Sequence, residues 1–176
     1  MGNPKWALAL CLAMTTTLFA QAQSTAEGLV KEWERAKAYT QEYLQAMPAD
    51  KFDYKPTEEV RSFAQQMLHI TDANYGFAAA ATGTPSPIDM GESEKTEDTS
   101  KENVTQLVLA GYDFVIEQLK GISDETLAEK VKLFDRFEMS KAQAIQKAFE
   151  HQTHHRGQGT IYLRMAGVKP PQEKLF

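Results

Sequence analysis

The stretch Ser140–Gly167, "SKAQAIQKAFEHQTHHRGQGTIYLRMAG", decides how the rest of the chain is read. Ser140 and Gln143 match the S-x-x-Q capping box, in which the serine side chain and the amide three residues on each satisfy the other's backbone N–H, so a helix begins there. Gly167 is the natural stop, and Pro170 and Pro171 beyond it cannot continue a helix. Counting about 100° per residue from His151 places Ala144 and Tyr162 near about 20°, Ala148 and Ala166 near about 60°, and Ile145 and Leu163 near about 120°. That is the face the helix buries. His155, at about 40°, lies inside it and His151 lies on its edge, whereas His154, at about 300°, points away.

Working outward, three more segments carry the same period. Leu29, Trp33, Ala36, Tyr39, Tyr43 and Leu44 recur at steps of three and four, so residues 26–47 read as a helix ended by Pro48. Pro56 suits a first helical turn, which predicts a second helix over 57–81. Val104, Leu107, Val108, Gly111, Tyr112, Val115, Ile116 and Leu119 give a stripe over 101–120, closed by Gly121. Residues 82–100 combine Gly and Pro breakers with an acidic cluster and read as a long exposed loop. Residues 123–138 show a mixed pattern that fits no element. Four long amphipathic helices without a convincing strand predict an all-α four-helix bundle with long connections and no sheet.

His151 and His155, four apart, project from one side of the last helix. Two imidazoles are too few for a stable zinc-like site, which takes three or four ligands. The H-E-x-x-H mechanism is excluded, because Gln152 stands where its general base belongs and Ile161 where a third downstream histidine would fall. The remaining histidine of the chain is His69, on the second helix, close in phase to Ala73, Gly76 and Ala80. Those small residues let another helix approach. Each histidine alone reads equally as a polar group at a helix interface; the three together make a ligand set with open positions. Asp72, three residues after His69, reads as a solvated surface acid or as a carboxylate that orients the imidazole.

The second helix with "SFAQQMLHI", the preceding connector "DYKPTEEVRSF" and the last helix with "HQTHHRGQ" resemble the DinB-like superfamily of four-helix metalloproteins, which includes the YfiT-type proteins. The resemblance spans nearly the whole chain after its first twenty-odd residues. It implies a divalent metal on His69, His151 and His155, a hydrolase or transferase activity on a small molecule, and a homodimer. His154 and Arg156 match the motif without an assigned role.

A chain of 176 residues is the size of one domain. Its formal charge of -5 and the lack of any Lys/Arg run argue against nucleic acid as a partner. In "MGNPKWALALCLAMTTTLFAQAQS", Lys5 precedes an apolar stretch and the triplet Ala20, Gln21, Ala22, the pattern of a secretory signal peptide cleaved after Ala22. Residues 1–22 are thus expected to be a leader and 23–176 one helical-bundle domain, exported to a periplasmic or extracellular space with no stable membrane anchor. The single cysteine, Cys11, lies within that leader behind Leu10, where a lipoprotein signal would need a small residue; this argues against a lipid anchor, and removal of the leader leaves the mature chain without a thiol. The expected function is metal-dependent hydrolysis, or transfer, of a small molecule at the three-His site, where the metal acidifies a water. Zn or Ni fits best, with Fe and Mn as further candidates. The alternative is a bundle that binds metal or ligand without turnover.

Overall fold

The computed structural model describes residues 25–176; the expected leader and its cleavage point lie outside them. The described chain runs α1 (Ala26–Ala46), α2 (Phe63–Thr82), α3 (Lys101–Lys120), a short α4 (Asp124–Ala128), β1 (Lys130–Leu133), β2 (Phe137–Ser140) and α5 (Lys141–Met165). The four long helices form a bundle in which α2 packs against both α3 and α5, while α1 packs mainly on α3. Trp33 from α1 is fully buried, 5.8 Å from the Tyr112 ring of α3 and edge-on to Phe149 of α5 at 5.5 Å. Burying aromatic area of this kind dominates core energetics, so these rings fix where α1 lies on its neighbours. Among the described residues, no helix is long and apolar enough to cross a membrane.

Three of the four helices fall where the apolar period places them. The second starts six residues later than expected. Ser62 accepts from the backbone N–H of Gln65, and the Gln65 side chain accepts from the Ser62 N–H, a complete capping box. Two satisfied backbone donors outweigh the mild preference of Pro56 for a first turn. Residues 49–62 instead fold back under the helix start, where Phe63 N–H and Ala64 N–H bond the carbonyls of Tyr54 and Phe52.

The expectation of no sheet is also corrected. β1 and β2 pair antiparallel, Leu133 opposite Phe137 and Lys130 opposite Ser140. The turn carries two residues in the left-handed region, Phe134 at φ 51° and Asp135 at φ 56°. Aspartate tolerates that conformation, but for phenylalanine it costs roughly 1–2 kcal/mol. The Phe134 ring meets Phe77 of α2 edge-on at 5.0 Å, a contact worth about 0.5–1.5 kcal/mol that offsets the strain. Leu133 is buried and ties the hairpin to the core.

The last helix ends as its sequence indicates. Gly167 has φ 82°, and Val168 N–H reaches back to the Leu163 carbonyl, the six-to-one bond of a Schellman cap. Six residues before its end, Gly159 permits α5 to approach α2: a Cβ there would sit 2.7 Å from Met67 Cε.

Candidate metal centre

α2 and α5 bring His69, His151 and His155 together. One ligand nitrogen from each lies within 4.8 Å of the other two, and all three side chains are half-buried. The ring centroids are 5.1 Å apart for His69 and His151, 4.5 Å for His69 and His155, and 4.3 Å for His151 and His155. The three nitrogens are near enough to share one ion after small ring adjustments, since Zn–N bonds are about 2.0–2.1 Å. His154 is exposed, as its phase requires, with Nε2 3.0 Å from the Gln158 side-chain amide.

Two of the three imidazoles are fixed through their other nitrogen. His69 Nδ1 lies 2.6 Å from Glu94 Oε1, while the second oxygen of Glu94 takes a 2.9 Å bond from Arg61 Nε. With its Nδ1–H donated to a carboxylate, His69 keeps Nε2 as a free lone pair. His155 Nδ1 lies 2.8 Å from the side-chain amide of Gln66, which is itself buried and bonded to Gln158. His151 differs: its Nδ1 is buried without a hydrogen-bond partner. Leaving such a group unpaired costs about 1–3 kcal/mol, so the cluster is incomplete as a hydrogen-bonded core and has a place for a further group.

Electrostatics point the same way. Burial, followed by the neighbouring charges of His69, His154 and Arg61, pushes His151 down to about 4. Burial and the adjacent His151 and His69 push His155 down to about 4 as well. Both rings are therefore neutral over the ordinary pH range, the form that ligates metal. Burial works to raise Glu94, but the hydrogen bonds from Arg61 and His69 outweigh it and hold the carboxyl below its ordinary value.

Glu94 sits in the segment expected to be an exposed loop, and its placement depends on Asp72. That residue is 3% exposed, not a solvated surface acid, and it does not touch an imidazole. Its two carboxylate oxygens accept the backbone N–H groups of Ser93 and Glu94, at 2.9 and 3.0 Å. They hold the 3-10 turn Ser93–Lys95 against α2. Asp72 thus positions the carboxylate that in turn positions His69. Beside the histidines, a cavity of about 290 Å³ is walled by Phe77, Met90 and Phe134, so the strained hairpin residue forms part of the site.

A four-helix bundle with a three-His cluster between its second and last helices defines the class. The chain belongs to the DinB family, whose model matches residues 14–175. It is 27% identical over 131 residues to YjoA of Bacillus subtilis, an uncharacterised protein, covering 73% of this chain and 82% of the relative. A DinB-like protein of known crystal structure from Bacillus cereus superposes with a TM-score of 0.75 at 21% identity, over 86% of this chain and 99% of that one. YfiT from Bacillus subtilis, described as "a probable metal-dependent hydrolase with an unusual four-helix bundle topology", superposes with a TM-score of 0.63 at 14% identity, over 86% of this chain and 91% of its own.

Proposed function

We propose that this DinB-family protein is a divalent-metal-dependent hydrolase of a small molecule, with His69, His151 and His155 as the protein's ligands to the ion. The observation that carries the reading is the convergence of three imidazole nitrogens within 4.8 Å, with two rings held through their second nitrogens and the third left unpaired. Three neutral nitrogen donors suit Zn or Ni best and leave coordination positions open. A divalent ion held there by His69, His151 and His155 would supply Lewis acidity for a substrate carbonyl and for a water.

The chain's own residues do the rest. Glu94, anchored by Arg61, keeps the His69 Nδ1 proton facing away from the site. Gln66 Nε2, which donates to Gln158 Oε1 and to the His155 carbonyl, lies against His155 Nδ1 and orients that ring. Phe77, Met90 and Phe134 wall the cavity with apolar surface, which favours a substrate whose reacting group is flanked by a small apolar portion. The description of YfiT as "a probable metal-dependent hydrolase" supports the reaction class. The sequence of residues 1–22 supports export.

One observation favours a rival, a metal-binding bundle without turnover. Both oxygens of Glu94, the carboxylate beside the cluster, are already occupied by His69 and Arg61. A free general base would have to come from elsewhere. A panel of esters, amides and lactones separates the two: the hydrolase reading requires turnover that disappears with chelation and returns with added metal. Stoichiometric metal without turnover of any panel member would establish the rival. Mass spectrometry of the protein from its native host tests export, with a mature start at Gln23 expected and an intact Met1 contradicting it.

A further inference from the structure

On the other side of α5 from the histidines, a cavity of about 540 Å³ lies between α1, α5 and the C-terminal tail. That volume is in the range of small-ligand sites. We infer that it is an anion site, which holds a small organic molecule by its carboxylate or phosphate group with Arg156 as the buried anchor.

Arg156 is only 5% exposed, and its guanidinium carbon stands 4.6 Å over the Tyr39 ring. Its Nη1 donates to Gln152 Oε1 at 2.8 Å. The same oxygen accepts from the Tyr112 hydroxyl at 2.9 Å, and that hydroxyl lies 2.8 Å from Thr40 Oγ1. Every partner in this chain is neutral. The guanidinium is held in place without being neutralised, and an isolated buried charge is costly unless a counter-charge arrives.

The surroundings favour an anion as that counter-charge. The lining holds four cations, Arg156, Arg164, Lys169 and Lys174, against one carboxylate, Glu173, although the whole chain has a formal charge of -5. Lys174 is paired with Glu42, but among the described residues no carboxylate forms an ion pair with Arg156, Arg164 or Lys169. Arginine offers five donors in a planar fork matched to carboxylate and phosphate, and Gln152 engages only one nitrogen. Tyr39 also lines the cavity; its hydroxyl lies 3.4 Å from that of Tyr43, and burial raises it to about 12, so it adds no negative charge there. Were Arg156 merely a core residue, an uncharged side chain of similar volume would serve as well, and the uncompensated cations around it would have no counterpart.

Isothermal titration of the full chain with inorganic phosphate, and separately with succinate, tests the inference. A chelator keeps phosphate from any ion at the histidines, and constant ionic strength removes general screening. Saturable binding of at least one anion is expected, and which one binds identifies the group recognised. Arg156→Lys keeps the charge but loses the fork and should weaken binding at least about tenfold. Arg164→Gln and Lys169→Gln, both at exposed positions, should each weaken it without disturbing the fold, and Glu173→Gln should tighten it. Absence of saturation by both anions overturns the inference. So does binding that is unchanged in Arg156→Lys and Arg164→Gln. Neither result depends on whether the histidines hold metal.

Discussion

The last helix carries two polar i, i+4 pairs side by side, and the fold treats them in opposite ways. His151 and His155 face α2 and are kept neutral by burial, each pushed down to about 4. Gln152 and Arg156 face α3 and α1, where a permanent cation is held by an amide, a phenol and an aromatic face. The first pair has a nitrogen with no partner; the second has its internal bonds made and a charge unanswered. The difference lies in what each face lacks. The proposed metal centre would place a cation on the histidine face and the proposed anion site an anion on the arginine face, and a single helix separates the two.

The largest expected effect breaks the symmetry between neighbours. Gln152→Ala removes the acceptor for both Arg156 and Tyr112, and in metal-free protein it should destabilise the fold by about 3 kcal/mol, because a buried charged donor loses its partner. His151→Ala in the same metal-free protein should cost no more than about 1 kcal/mol, since its buried nitrogen is already unpaired and its ring half-exposed. Urea denaturation of both variants measures the two values. Equal costs would erase the distinction between the faces.

Next in size is the support of the histidine face. Glu94→Gln should lower metal affinity about 10- to 100-fold, the usual effect of losing a carboxylate behind a ligand. Asp72→Ala touches no imidazole but frees the turn that presents Glu94, so it should reproduce much of that loss. Competition titrations against a chromogenic chelator provide the check. An unchanged affinity in Asp72→Ala would show that Glu94 finds His69 without help.

The histidine face also responds to pH. In the unfolded chain His151 and His155 protonate at their ordinary value of 6.5, whereas in the fold they resist until about 4. As pH falls between those values, the unfolded state takes up protons that the fold refuses. The stability of metal-free protein should therefore be fully present above about 6.5 and drain away toward about 4. Denaturation midpoints across that window should fall less steeply in His151→Ala. A slope identical to that of the unaltered protein would place the titration elsewhere.

The smallest expected effect concerns the start of α2. Ser62→Ala should cost about 1 kcal/mol, the ordinary loss of an N-cap. The same substitution at Ser140, whose capping box has the same bonds, should match it in thermal denaturation.

How far these features were legible follows from what fixes each of them. α1, α3 and α5 are set by apolar period and strong stops, which are local in sequence. The start of α2 was equally local, but Pro56 drew the boundary forward although Ser62 and Gln65 repeat the signature seen at Ser140 and Gln143. The hairpin gave no turn signal, because Phe134 and Asp135 occupy positions where glycine or asparagine would mark it; packing of Phe134 on Phe77 compensates only in three dimensions. His69, His151 and His155 were legible from helical phase. Glu94 was not, for it reaches His69 through a turn that Asp72 holds, a relation between distant residues. Gln152 and Arg156 were within reach: the phase that places His155 puts them at about 100° and about 140°, astride Ile145 and Leu163 on the buried face.

Elemental analysis of purified full-length protein after zinc loading and desalting addresses the metal centre most directly. The unaltered chain and His154→Ala should each retain about one ion, because His154 is exposed and turned away, whereas His69→Ala, His151→Ala and His155→Ala should each be left nearly empty. Retention of zinc by all four variants, or its loss from His154→Ala with retention in His155→Ala, would contradict the three-His centre.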